Sequence, residues 1–115
     1  MTDDKKTSGE LNPSQVYNLF DLAEYAEGSV VSRTIAKNQT GTCTLFAFDS
    51  GQGLSEHSAP FDALVQIVDG QALVTIGGEK ITVSKGELVM MPANIPHALQ
   101  AEKRFKMLLT MFKEK

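Results

Sequence analysis

His57 and His97 are the two imidazoles of this 115-residue chain, and any acid–base or metal chemistry in it would rest on them. Forty positions separate them, so strands that fold back on one another must bring them together. Alternate residues of a strand face the same side, which places position 59 beside His57, and that residue is Ala59. Two imidazoles alone make a poor metal site. Catalytic zinc usually takes three protein ligands, and mononuclear iron oxygenases use two histidines and a carboxylate. Glu56 and Asp62 are close in sequence, but each stands one position off the inward register. A β-bulge near Pro60 would turn Asp62 inward and complete a set of two histidines and one carboxylate. Cys43 and Ser58 have no base at a spacing that argues for a nucleophile.

The elements that must carry these residues are strands. From Val30 onward the apolar period is two, with candidate strands at 29–36, 42–49, 63–69, 71–76, 79–83, 87–91, 97–101 and 105–112. Turn chemistry separates them, including Asp69-Gly70 and Gly77-Gly78, which supply the positive φ angles of tight hairpins. Short strands at even spacing predict an all-β sandwich or closed barrel. Ahead of them, Asn12-Pro13 reads as a helix start, and Val16, Leu19, Phe20 and Ala23 follow at the spacing of one helical face, ended by Gly28. Residues 1–11 read as a mobile N-terminal tail and 12–115 as a single barrel domain. Cys43 and the five methionines read as small core residue and gap fillers.

Composition narrows the partners. A net charge of −3 gives no basic face for nucleic acid, and no apolar stretch reaches the roughly 20 residues that span a bilayer. A single cysteine cannot form an internal disulfide, so a reducing, cytoplasmic home is expected.

Two runs carry a family resemblance. In the first, Gly51 precedes His57 by five intervening residues, and Ala59, Ala63 and Gly70 follow. In the second, Gly86 is followed by five residues and then Pro92-Ala93-Asn94-Ile95-Pro96-His97. They resemble the two cupin motifs, and the chain is similar to small single-domain cupins. The resemblance implies a jelly-roll β-barrel with a divalent metal held by three histidines and a glutamate. Here the second histidine has become Ala59 and the glutamate Ala63, while Asn94 stands for a glycine of the second motif. The expectation is a barrel-cavity pocket of His57, Ala59, Ala63 and His97 that binds a small organic ligand. A weak or partly occupied divalent transition metal (Zn, Ni, Fe or Mn) would sit at His57 and His97. The alternatives are a metal-dependent oxygenase or isomerase completed by water or one carboxylate, and a ligand-sensing domain acting on a protein partner. A homodimer is expected through the apolar-rich leading strand 29–36.

Overall fold

Residues 9–113 are described by a computed structural model of the chain. Nine strands run in order: β1 (Val30–Asn38), β2 (Gly41–Phe48), β3 (Gly53–His57), β4 (Asp62–Asp69), β5 (Gln71–Ile76), β6 (Glu79–Ser84), β7 (Leu88–Met91), β8 (His97–Gln100) and β9 (Phe105–Phe112). They form two antiparallel sheets of order β1-β2-β9-β4-β7 and β3-β8-β5-β6, the two faces of a jelly roll. Eight strands match the expected ranges to within two residues at either end. The ninth, β3, was not expected: its side chains are mostly exposed, so no apolar alternation marks it.

The core lies between the sheets. On β2, Phe46 and Phe48 face inward while Leu45 and Ala47 face outward, as a two-residue period requires. Phe48 and Phe105 are cross-strand partners with ring centroids 4.4 Å apart, and both are fully buried. They fill the barrel at the start of β9; Met111 lies at the strand's other end, six positions on. The stacked rings fill this end of the barrel, and the histidines stand toward the other.

The outer face of the five-stranded sheet is covered by the N-terminal segment, and here the expected helix over 12–28 is corrected. A single 3-10 turn, Leu19–Leu22, is all that forms, capped by the Asn18 side chain accepting from the Phe20 N–H. Two causes are visible. Ser14 adopts φ 66°, which no helix tolerates, and Val16 is 96% exposed, so the supposed apolar face has nothing to bury against. The backbone carbonyls also find other donors. Lys106 Nζ donates to the Phe20 carbonyl at 2.6 Å, and Arg33 donates to the Gly9 and Leu22 carbonyls. Long cations of the sheet satisfy groups that a helix would have satisfied internally. Ala23, Leu22 and Tyr25 pack on Leu45, Ala47 and Leu108. The Tyr25 hydroxyl donates to Asp69 at 2.6 Å, and burial followed by that carboxylate pushes the phenol well above its ordinary pKa. Residues 1–8 of the expected tail lie outside the described residues; Leu11 donates its N–H to the Ile35 carbonyl of β1. No helix among the described residues is long and apolar enough to cross a membrane.

Two substitutions separate core from cover. Phe48→Ala should cost about 3–5 kcal/mol, since it empties a fully buried stacked ring. Val16→Ala should stay within about 0.5 kcal/mol. Urea denaturation checks both, and a large loss at Val16 would mean that a packed helix does form.

Candidate functional site

β3 and β8 are antiparallel neighbours, and their register pairs Gly53 with Gln100, Leu54 with Leu99, and His57 with His97. Between the last two pairs β3 advances three residues and β8 two, so one extra residue bulges at Ser55-Glu56. Without it, Leu54 and His57 would face opposite sides; with it, both line one cavity. The bulge thus lies before Pro60, at Ser55-Glu56, and it turns His57 inward, not Asp62. Gly53 makes the approach of the two strands feasible, because a Cβ there would sit 2.4 Å from the Leu99 carbonyl oxygen.

The second motif is held by its loop. Asn94 has φ 67°, the left-handed conformation of the glycine it replaces, and its N–H donates to the Ala59 carbonyl at 2.7 Å. Gly77 donates to the Pro96 carbonyl at 2.8 Å. Thus the loop before His97 is tied both to the first motif and to the β5–β6 turn.

The two imidazoles meet edge to face, with ring centroids 4.5 Å apart and planes at 73°. His57 stands exposed at the mouth, while His97 is 5% exposed. Each Nδ1 contacts the carbonyl oxygen two residues earlier, Ser55 at 2.9 Å for His57 and Ile95 at 3.2 Å for His97. A carbonyl can only accept, so both Nδ1 atoms carry the proton in the neutral rings. Both Nε2 atoms are then lone-pair donors, and neither has a protein hydrogen-bond partner among the described residues. Burial holds the His97 pKa below its ordinary value, the nearby His57 adds to the depression, and the Ile95 carbonyl offsets part of it.

His57, Ala59, Ala63 and His97 all line a cavity of about 50 Å³. The other walls are Leu54, Phe61, Leu99, Leu109 and three methionines, with no carboxylate, hydroxyl or amide side chain. A larger open cleft of about 450 Å³ lies beside Gly70, Thr82 and Arg104 on the surface. It holds neither histidine.

Neither carboxylate joins the cavity. Asp62 accepts from the Ala93 N–H at 2.9 Å and so fixes the second motif's loop; Glu56 is exposed on the bulge. No three His, Cys, Asp or Glu side chains converge among the described residues. Two neutral imidazoles in an apolar pocket do not fit a divalent ion of the three-histidine, one-glutamate kind, because nothing offsets its charge.

Residues 44–111 match the family model described as a cupin domain. Among solved structures, the chain is similar to a conserved protein of unknown function from Streptococcus pyogenes, with 37% identity and a TM-score of 0.86 over 91% of this chain and 92% of that one. It is also similar to a cupin superfamily protein from Desulfitobacterium hafniense, with 31% identity and a TM-score of 0.84 over 90% and 95% of the two chains. A cupin 2 conserved barrel domain protein from Leptotrichia buccalis shares 42% identity with a TM-score of 0.82 over 84% of this chain. This chain spans 47% of that protein. No curated protein matches the chain.

The depressed His97 pKa has a consequence for stability. The unfolded chain accepts a proton near pH 6.5 that the folded site resists, so it binds more protons as pH falls below that value. Stability should be unaffected by this group above pH 6.5 and decline below it until the folded pKa is passed. Urea midpoints at pH 8 and pH 5 should fall less for metal-free His97→Gln than for the parent. Equal losses would mean that His97 is not desolvated.

Proposed function

The chain belongs to the cupin-domain family, and we propose that residues 12–115 act as one barrel that binds a compact small molecule head-first between His57 and His97. The observation that carries this reading is the pair of Nε2 lone pairs, without a protein partner among the described residues, beside an otherwise apolar cavity. Two lone pairs attract an electron-poor group. The fitting head is an acidic O–H, as in a phenol, an enol or an un-ionised acid; an ionised carboxylate would meet repulsion.

Volume sets the mode of entry. Pockets that engulf drug-sized molecules measure roughly 300–1,000 Å³. About 50 Å³ takes the head only, so the ligand's body rests against half-buried Leu54 and Phe61. Met91 and Met111, the cross-strand partners of Ala63, line the cavity beside it. Binding would not require metal; a divalent ion on the same two nitrogens would depend on water for its other ligands.

Two features bear on setting and assembly. β1 is an edge strand of its sheet, which supports pairing with a second copy, though Leu11 already covers part of that edge. Cys43 is free, with Sγ 3.6 Å from the Thr110 hydroxyl, which supports a reducing cytoplasmic home.

Calorimetric titration at pH 8 with phenol, and with benzoate as an anion of similar size, tests the polarity of the site. Phenol should bind at least tenfold more tightly, about 1.4 kcal/mol, and His97→Phe should abolish the difference. Equal binding of the two, or unchanged phenol binding in the variant, would refute the proposal.

A further inference from the structure

The cavity contains a second group of donors that the two motifs do not account for. Met91, Met107 and Met111 line it together with His57 and His97. Ala63 organises them: its cross-strand partner on β7 is Met91, and its partner on β9 is Met111. Directly opposed residues project from the same face with Cβ atoms about 4.5–5.5 Å apart. Two thioethers therefore flank the position at which the cupin motif carries its glutamate. Met91 is 2% exposed and Met107 fully buried, while Met111 is partly exposed. Every side-chain donor in the lining is then a neutral imidazole nitrogen or a neutral thioether sulfur.

Two physical properties decide which ion such a set holds. The first is softness: thioethers are poor ligands for hard divalent ions and good ones for monovalent copper. The second is charge. No anionic ligand is present in the lining, so a bound ion would keep its whole charge beside largely apolar walls. The cost of burying an ion rises with the square of its charge, which penalises a divalent ion about four times as much as a monovalent one. The imidazoles are already set for the task, since each Nδ1–H is held by a carbonyl and each Nε2 lone pair is left for a metal.

We propose that the cavity is a site for monovalent copper, held by Nε2 of His57 and His97 and by the sulfurs of Met91 and Met111, with Met107 packed behind them. This rests on the reading that both Nε2 lone pairs serve the cavity, and it replaces the organic O–H with a soft cation of the same electron demand. The loss of the second histidine and the glutamate is then a change of donor type as well as a loss of donors.

The test is an anaerobic titration of metal-free protein with the Cu(I)–bicinchoninate complex. One equivalent of copper per chain should be withdrawn, and X-ray absorption at the copper edge should show sulfur as well as nitrogen neighbours. Met91→Leu combined with Met111→Leu, which nearly preserves volume, should weaken Cu(I) binding at least tenfold. Selenomethionine labelling of the parent chain makes the result independent of any variant, because copper–selenium scattering must then appear. Failure to withdraw Cu(I), copper without sulfur or selenium neighbours, or full affinity in the double variant would each overturn the copper site. Phenol binding without Cu(I) uptake overturns the copper site alone. Cu(I) uptake through sulfur without phenol binding supports it and removes only the organic ligand.

Discussion

The pairing of β3 with β8 places His57 directly across from His97, and the geometry of the cavity follows from that register. Three local features maintain it. Gly53 lets the backbones approach to a distance that any side chain would block. The bulge at Ser55-Glu56 reverses the facing of His57, and it leaves the Ser55 carbonyl against that residue's own Nδ1. The loop 92–96, fixed by Asn94, Asp62 and Gly77, delivers His97 with the same contact to Ile95. A shift of one residue in this pairing would turn one imidazole to solvent and leave His97 buried without a counterpart.

The opposite sheet makes that pair consequential. Its inner face presents Ala63, Met91 and Met111 to the histidines, and Phe48 with Phe105 closes the barrel's other end. The resulting space is small, apolar and free of anionic groups, and its polarity comes from two lone pairs. Both the organic and the copper reading use this one property. The described part of the N-terminal segment covers the outer face through contacts of Tyr25, Arg33 and Lys106, and none of its residues is among those lining the cavity.

Much of the fold was legible because its signals are local. Period-two apolar patterning marked eight strands, and the turn glycines Gly70, Gly77 and Gly78 have the positive φ angles expected of them. β3 was not legible, since its bulge breaks the period and its side chains are mostly exposed. The helix was misread because helical spacing of Val16, Leu19, Phe20 and Ala23 says nothing of where the carbonyls find donors. In the site, motif resemblance picked out Ala59, Ala63 and His97 beside His57, whereas strand parity does not reach Ala59, which follows the end of β3. The methionines could not be singled out, because their significance lies in cross-strand pairing with Ala63. Histidine tautomers depend on carbonyl positions that no sequence pattern encodes.

The protonation pattern of the two imidazoles is the point on which both uses of the cavity depend. Long-range proton–nitrogen correlation NMR on metal-free protein at pH 8 reports it directly for each ring. The expected result is a protonated Nδ1 and an unprotonated Nε2 at both His57 and His97. A neutral ring with its proton on Nε2 at either position would contradict the proposed site, since that nitrogen could then neither accept an acidic O–H nor bind copper.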